Sequence, residues 1–173
     1  YGIDSTQGWK AEEVQLTPEQ QACIAELNGV RQLYKGVALN TNICFSNPEA
    51  RRIQAQYIAD YAEKQNNVDF LHIWLADANN NHCECEECVK MLPSDWFILL
   101  LNDLDAAMTE AGLDTKVVFL LYVDLLWAPE KLKLVNPDRF ILMFAPITRN
   151  YGQNYDQHLT YDGPLPEFKR NHL

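Results

Sequence analysis

Apolar residues group in two ways along this chain. Continuous apolar runs of strand length occur at Phe70 to Ala76, Val117 to Val123 and Phe140 to Ala145, and Val37 to Cys44 reads as a further strand. Runs of this kind belong to strands covered on both faces, as in parallel sheets. Between them the apolar positions recur every three or four residues. Asn47-Pro48 opens a helix carrying Ile53, Tyr57, Ile58, Tyr61 and Ala62, and a helix from Ser94 to Gly112 carries Phe97, Leu101, Leu104, Met108 and Ala111. Near the start, Thr17-Pro18 followed by Gln20 matches a helix cap, and Asn28-Gly29 supplies a stop. Cys23, Ile24 and Leu27 then share one face of this short helix, with Cys23 acting as a small buried apolar residue. Pro129 to Val135 predicts a brief helix. The order is helix, strand, helix, strand, helix, strand, short helix, strand, an α/β pattern with parallel strands near residues 37 to 44, 68 to 76, 116 to 123 and 139 to 145. Sequential strands are expected to be spatial neighbours. Trp74, inside a strand with apolar neighbours, is expected in the core.

Composition narrows the function classes. The 173 residues are 47% hydrophobic, enough for one substantial core, and read as a single domain spanning 1 to 173. A formal net charge of -10, from 14 Lys+Arg against 24 Asp+Glu, argues against nucleic acid or an anionic membrane surface as partner. A neutral ligand fits better. No apolar run is long enough to insert into a membrane, and residues 1 to 10 lack the pattern of a targeting segment. A chain running from Tyr1 to Leu173 without an initiating Met looks like part of a larger protein, whose remainder is then an expected partner. Neither G-x-G-x-x-G nor G-x-x-x-x-G-K-[ST] occurs, which removes the usual warrants for a nucleotide site.

The chemistry concentrates in one loop. Asp77 to Cys88 reads Asp-Ala-Asn-Asn-Asn-His-Cys-Glu-Cys-Glu-Glu-Cys and follows directly on an apolar strand. In a parallel α/β fold, loops leaving the C-terminal strand ends collect functional groups. The C-x-C-x2-C spacing crowds three sulfurs, which at such range bind a metal, oxidise to disulfides or stay as thiols. Tetrahedral zinc needs a fourth ligand. Cys44, at the end of the preceding strand, is the first choice and His82 the reserve, while Cys23 is left over. A zinc-ribbon module would carry a second paired-cysteine knuckle and a basic face, and neither is present. Beyond the strand ends, Tyr122, Trp127, Arg149 and Tyr151 could contact a ligand, with Arg149 suited either to clamp a carboxylate or to pair with Asp77 or Asp124.

Glu26 to Arg31, Ile43-Cys-Phe-Ser-Asn-Pro-Glu49, Asp77 with the cysteine motif, Leu121-Tyr122 through Pro129, and Pro146 to Arg149 together resemble an uncharacterised bacterial domain family. That family is grouped with the TIM-barrel glycoside hydrolases, among relatives of α-glucuronidases and β-hexosaminidases. The resemblance implies a partial (β/α)8 barrel comprising about strands 3 to 6, a secreted or periplasmic setting, and a carbohydrate as partner. It further implies that Asp77 closes the fourth barrel strand, where such enzymes carry the general acid/base, with Asp124 as the second carboxylate and His82, Tyr122, Trp127, Arg149 and Tyr151 as substrate contacts. β-Hexosaminidases carry an Asp-Glu pair where this chain has Asp77-Ala78. The competing readings are that Asp77 and Asp124 anchor turns through backbone N–H groups, and that the domain binds carbohydrate without hydrolysing it.

Overall fold

The computed structural model describes residues 15–65, 67–147, 151, 152 and 154. Helix α1 spans Pro18–Cys23, where Thr17 and Gln20 form a reciprocal capping box and Pro18 occupies the first turn. It ends earlier than the sequence pattern suggests. Asn28 and Gly29 adopt φ of 50° and 75° and make the tight turn of a two-residue-strand hairpin, β1 (Glu26–Leu27) with β2 (Val30–Arg31). Asn-Gly is the preferred pair for such a turn, because both central positions need positive φ. Leu27 thus leaves the helix, and Ile24 makes an antiparallel bridge with Ile43.

Helix α2, Pro48–Lys64, is capped by the Asn47 side chain, which accepts from the N–H groups of Glu49 and Ala50. Its buried stripe is alanine (Ala50, Ala55, Ala59, Ala62), whereas Tyr57 and Tyr61 project outward. Small residues let α2 approach helix α3, Pro93–Glu110, and the two pack side by side. Ala111 lies just past the end of α3 and is exposed.

Three strands, β3 (Phe70–Ile73), β4 (Lys116–Leu121) and β5 (Phe140–Phe144), form a parallel sheet in the order β3-β4-β5. Leu71, Ile73, Val117, Phe119 and Phe140 share one face of it, against which α3 places Phe97, Leu100, Leu101, Leu104 and Met108. Phe119 links the layers, its ring meeting Phe97 and Phe140 edge-on at 5.9 and 6.2 Å. Only β4 is paired on both sides, so Val117 to Leu120 are buried without alternation, while Ile141, Leu142 and Phe144 of β5 are exposed. Trp74 is exposed as well, at 58%, against the expectation of a core tryptophan. The period-2 geometry of the strand explains this, since Ile73 and Leu75 take the helix side and Trp74 the other.

Two elements expected from sequence do not form. Residues 37–44 contribute no strand to the parallel sheet; Ala38–Asn40 is a 3-10 turn instead. The polar side chains of Thr41 and Asn42 take over the bonding. Thr41 Oγ1 accepts from Tyr34 N–H and donates to Val37 C=O, and Asn42 Oδ1 accepts from Ala76 N–H. The segment still runs beside the end of β3, with Asp77 N–H bonded to Leu39 C=O at 3.2 Å. Pro129 to Val135 forms no helix either, because side chains of α3 occupy its backbone groups. Asp95, fully buried, accepts from the N–H groups of Glu130, Lys131 and Leu132 at 3.2, 2.7 and 2.8 Å. Asn102 bonds Lys133 C=O and Val135 N–H, and Asp105 accepts from Asn136 and from Arg139, whose guanidinium also reaches Leu113 and Thr115 carbonyls. Asp95, Asn102 and Asp105 lie on one helical stripe, so the connection from β4 to β5 is laid along α3 by hydrogen bonds.

Asp95→Ala strands three backbone donors in a dry site and is expected to cost about 3 kcal/mol or more in urea unfolding. A loss below about 1 kcal/mol would show that water replaces the carboxylate.

Candidate metal centre and acid cluster

Cys44, Cys83, Cys85 and Cys88 place their Sγ atoms within 4.8 Å of one another. Cys44 arrives on the segment before α2, and the other three on the loop between β3 and α3. The Cys44 sulfur is 3.7 Å from that of Cys85 and 3.9 Å from that of Cys88. Four thiolates around one zinc at about 2.3 Å stand about 3.8 Å apart at the tetrahedral edges, whereas a disulfide needs about 2.05 Å. None of the four is disulfide-bonded. The cluster is therefore of a size to hold a metal ion. Cys23 is not part of it, and neither is His82.

Hydrogen-bond donors surround the sulfurs, and the four thiols split into two lowered and two raised. Glu26 N–H points to Cys83 Sγ and Ser46 N–H to Cys88 Sγ, both at 3.3 Å, and Ser46 Oγ lies 3.3 Å from Cys44 and 3.4 Å from Cys85. Cys44 is held well below the usual thiol range by hydrogen bonds from Cys83 and Cys88. The same contact pushes Cys83 up to about 12, and Cys44 and Cys83 together push Cys88 up. Burial opposes ionisation of Cys85, but Ser46 and the Cys88 backbone outweigh it and lower that thiol. A second thiolate at such range is repelled by roughly 4 kcal/mol at an effective dielectric constant of about 20. A dication among the sulfurs removes that repulsion. Cys44, Cys83 and Cys88 are 3% exposed or less, and with four sulfurs supplied no coordination position is left for water or substrate. Such a site is structural in type.

The hairpin closes one side of the cluster. Glu84 N–H bonds Glu26 C=O at 2.8 Å, and the Glu84 carboxylate accepts from Asn28 N–H at 2.8 Å. Arg31 ion-pairs with Glu26 and donates to Ile24 C=O. Arg31 and Ser46 carry no motif of their own. Their role becomes visible only when the chain is folded, although both fall within segments that accompany the cysteine motif.

A second group of polar residues lies where β3 and β4 end. Tyr122 donates its hydroxyl to the exposed Asp77. Asp124 is 3% exposed, accepts from Asn80 N–H at 2.7 Å, and lies 3.7 Å from His82 Nε2. Its Oδ1 has no hydrogen-bond partner among the described residues. Burial raises the Asp124 pKa, and the Asn80 N–H only partly offsets this. Tyr122 is raised too, first by burial and then by Asp77 and Asp124. Between these residues Val123 takes φ of 49°, a left-handed conformation that costs a β-branched residue about 1–3 kcal/mol. The structure thus brings Asp77 and Tyr122 together, and Asp124 and His82 together. Trp127 is half-buried and Tyr151 exposed, whereas Arg149 lies outside the described residues.

Residues 15–170 match the sequence profile of the domain of unknown function DUF4838, and the chain belongs to that family. No curated protein and no solved structure matches it. Among the described residues, no helix is long and apolar enough to cross a membrane.

A raised carboxyl pKa in the folded state means that folding favours the protonated form, so stability falls as pH rises from the unfolded value through the folded one. Asp124→Asn keeps an oxygen for Asn80 N–H and removes the buried charge. The variant is expected to melt at or above the wild-type temperature at pH 7, with the difference closing as pH falls toward 4. A variant clearly less stable at pH 7 would mean that the ionised carboxylate is stabilised by a partner stronger than Asn80.

Proposed function

We propose that this domain is a carbohydrate-binding or carbohydrate-processing unit whose ligand surface, at the C-terminal end of the parallel sheet, is held in shape by a structural zinc ion on Cys44, Cys83, Cys85 and Cys88. The zinc part rests on one observation: four sulfurs from two separate segments lie within 4.8 Å of one another, with Cys44 at 3.7 and 3.9 Å from Cys85 and Cys88, close to the edge of a tetrahedral thiolate site. Bound zinc would tie the loop after β3 to the segment before α2, fixing a run, Asn79 to Asn81, with no apolar side chain of its own. The same loop carries Asp77, and its Asn80 N–H holds Asp124. Loading the metal thus fixes the acid pair.

For the ligand, support comes from Asp77, an exposed carboxylate hydrogen-bonded by Tyr122, at a strand end that also exposes Trp74. A carboxylate and a phenol bind sugar hydroxyls, and an indole face suits the apolar side of a pyranose ring. In this reading β3, β4 and β5 are about the fourth to sixth strands of a glycoside hydrolase-like (β/α)8 barrel in a secreted or periplasmic protein. Zinc would also protect the thiols there from oxidation. Asp77 contacts the ligand, and Asp124 is the second carboxylate beside it. His82, Trp127, Arg149 and Tyr151 are proposed as further contacts. One observation favours binding without hydrolysis: Asp124 is almost wholly buried and already engaged by the Asn80 backbone.

Metal analysis of protein purified without added chelator is expected to give one zinc per chain. Cys44→Ser should lose it, and chelation should lower the melting temperature by roughly 10 °C. Protein free of metal that gains no stability from added zinc would end the metal reading.

Glycan-array binding is expected for wild type and strongly reduced for Asp77→Ala and Tyr122→Phe. If hydrolysis accompanies binding, Asp77→Asn should lower turnover by roughly 10²-fold or more with affinity retained. Wild type that binds but turns over no glycan leaves the binding unit as the function. No binding to any glycan would remove carbohydrate altogether.

A further inference from the structure

We propose that Arg31 is the charge-compensating residue of the metal centre, a guanidinium that the β1–β2 hairpin holds against the sulfurs so that a doubly negative tetrathiolate complex can be retained. The inference rests on the zinc reading above and adds a residue to it. One dication with four thiolates carries a formal charge of -2, and three of the four sulfurs sit in nearly dry surroundings. An uncompensated charge there is strongly disfavoured, because little water is at hand to solvate it. N–H groups of Glu26 and Ser46 spread part of it, but they are dipoles rather than charges.

The hairpin is built to present the cation. Glu26 and Arg31 are directly paired across its two strands, so both side chains project on the same side. Nη1 donates to Ile24 C=O at 2.6 Å, and Nε lies 3.3 Å from the Glu26 carboxylate. These two contacts fix the plane of the fork between Ile24, next to the Cys23 carbonyl that accepts from Cys44 N–H, and Glu26, whose own N–H points to Cys83 Sγ. The side chain of Arg31 is only 25% exposed. The hairpin is itself bound to the cysteine loop through Glu84 and through Glu26 N–H on Cys83, so the cation and the ligands are tied together by hydrogen bonds.

The test is zinc affinity by competition with a chromophoric chelator on the whole chain, comparing wild type with Arg31→Gln, Arg31→Lys and Arg52→Gln. Arg52 is an exposed arginine paired with Glu49 on α2 and serves as the control. Arg31→Gln is expected to weaken zinc binding by roughly 10- to 100-fold, the usual effect of losing a group that supports metal ligands. Arg52→Gln should match wild type. Arg31→Lys keeps the charge but loses the fork geometry, and should stay within about threefold of wild type if compensation is electrostatic. This last variant also decides the matter if Arg31→Gln fails to fold. Lysine as damaging as glutamine, or glutamine as good as wild type, overturns the role of Arg31 while leaving the zinc site standing. Wild type that binds no zinc overturns both.

Discussion

Four sulfur atoms crowded into one nearly dry site cannot all carry charge unless a cation lies among them, and that constraint shapes the surrounding half of the molecule. Cys44 and the Cys83-to-Cys88 run come from segments some forty residues apart. Bringing them together requires the segment before α2 to run beside the end of β3, which it does through the Asn42 and Leu39 contacts rather than through a sheet ladder. Backbone N–H groups and the Ser46 hydroxyl then converge on the sulfurs, and Arg31 is held on the adjoining hairpin by Ile24 and Glu26. The arrangement surrounds a cluster of a size to hold a metal ion with hydrogen-bond donors.

The polar groups at the sheet end depend on the same loop. Asn80 N–H meets Asp124, and Asn81 is wholly buried with its amide on the Asn40 and Ala76 carbonyls. Hydrogen bonds therefore replace apolar packing in a stretch that has little to pack. The left-handed Val123 and the buried Asp124, one of whose oxygens has no hydrogen-bond partner among the described residues, are energetically unfavourable features set side by side. Such features persist where the neighbouring structure enforces them, and they concentrate at sites of function. Here the enforcing elements are β4 on one side and the cysteine loop on the other.

Away from the site, α3 does two kinds of work with two stripes. Its apolar stripe covers the sheet, and its polar stripe of Asp95, Asn102 and Asp105 holds the β4-to-β5 connection. That connection has little need of a helix of its own, since its backbone donors are already satisfied by α3.

Much of this was legible in the residues. The capping box at Thr17, the Asn47 cap, the length of α3 and the parallel order of β3, β4 and β5 follow from local chemistry and periodicity, which act over a few residues and so survive any tertiary context. The C-x-C-x2-C spacing likewise announced a sulfur cluster, because residues that close in sequence cannot lie far apart. Tertiary structure decided the rest. Val37 to Cys44 has the composition of a strand, but Thr41 and Asn42 found stronger partners outside a ladder. Asn28-Gly29 serves a helix end or a hairpin equally well by propensity, and the bonds of Glu84 in the cysteine loop to Glu26 and Asn28 hold the hairpin. Trp74 faces outward because the helices cover only the other side of the sheet. The meeting of Cys44 and Arg31 with the cysteine run, and of Asp77 with Tyr122, joins positions dozens of residues apart. No local rule contains such pairings, since they arise only when the whole chain has found which surfaces bury one another.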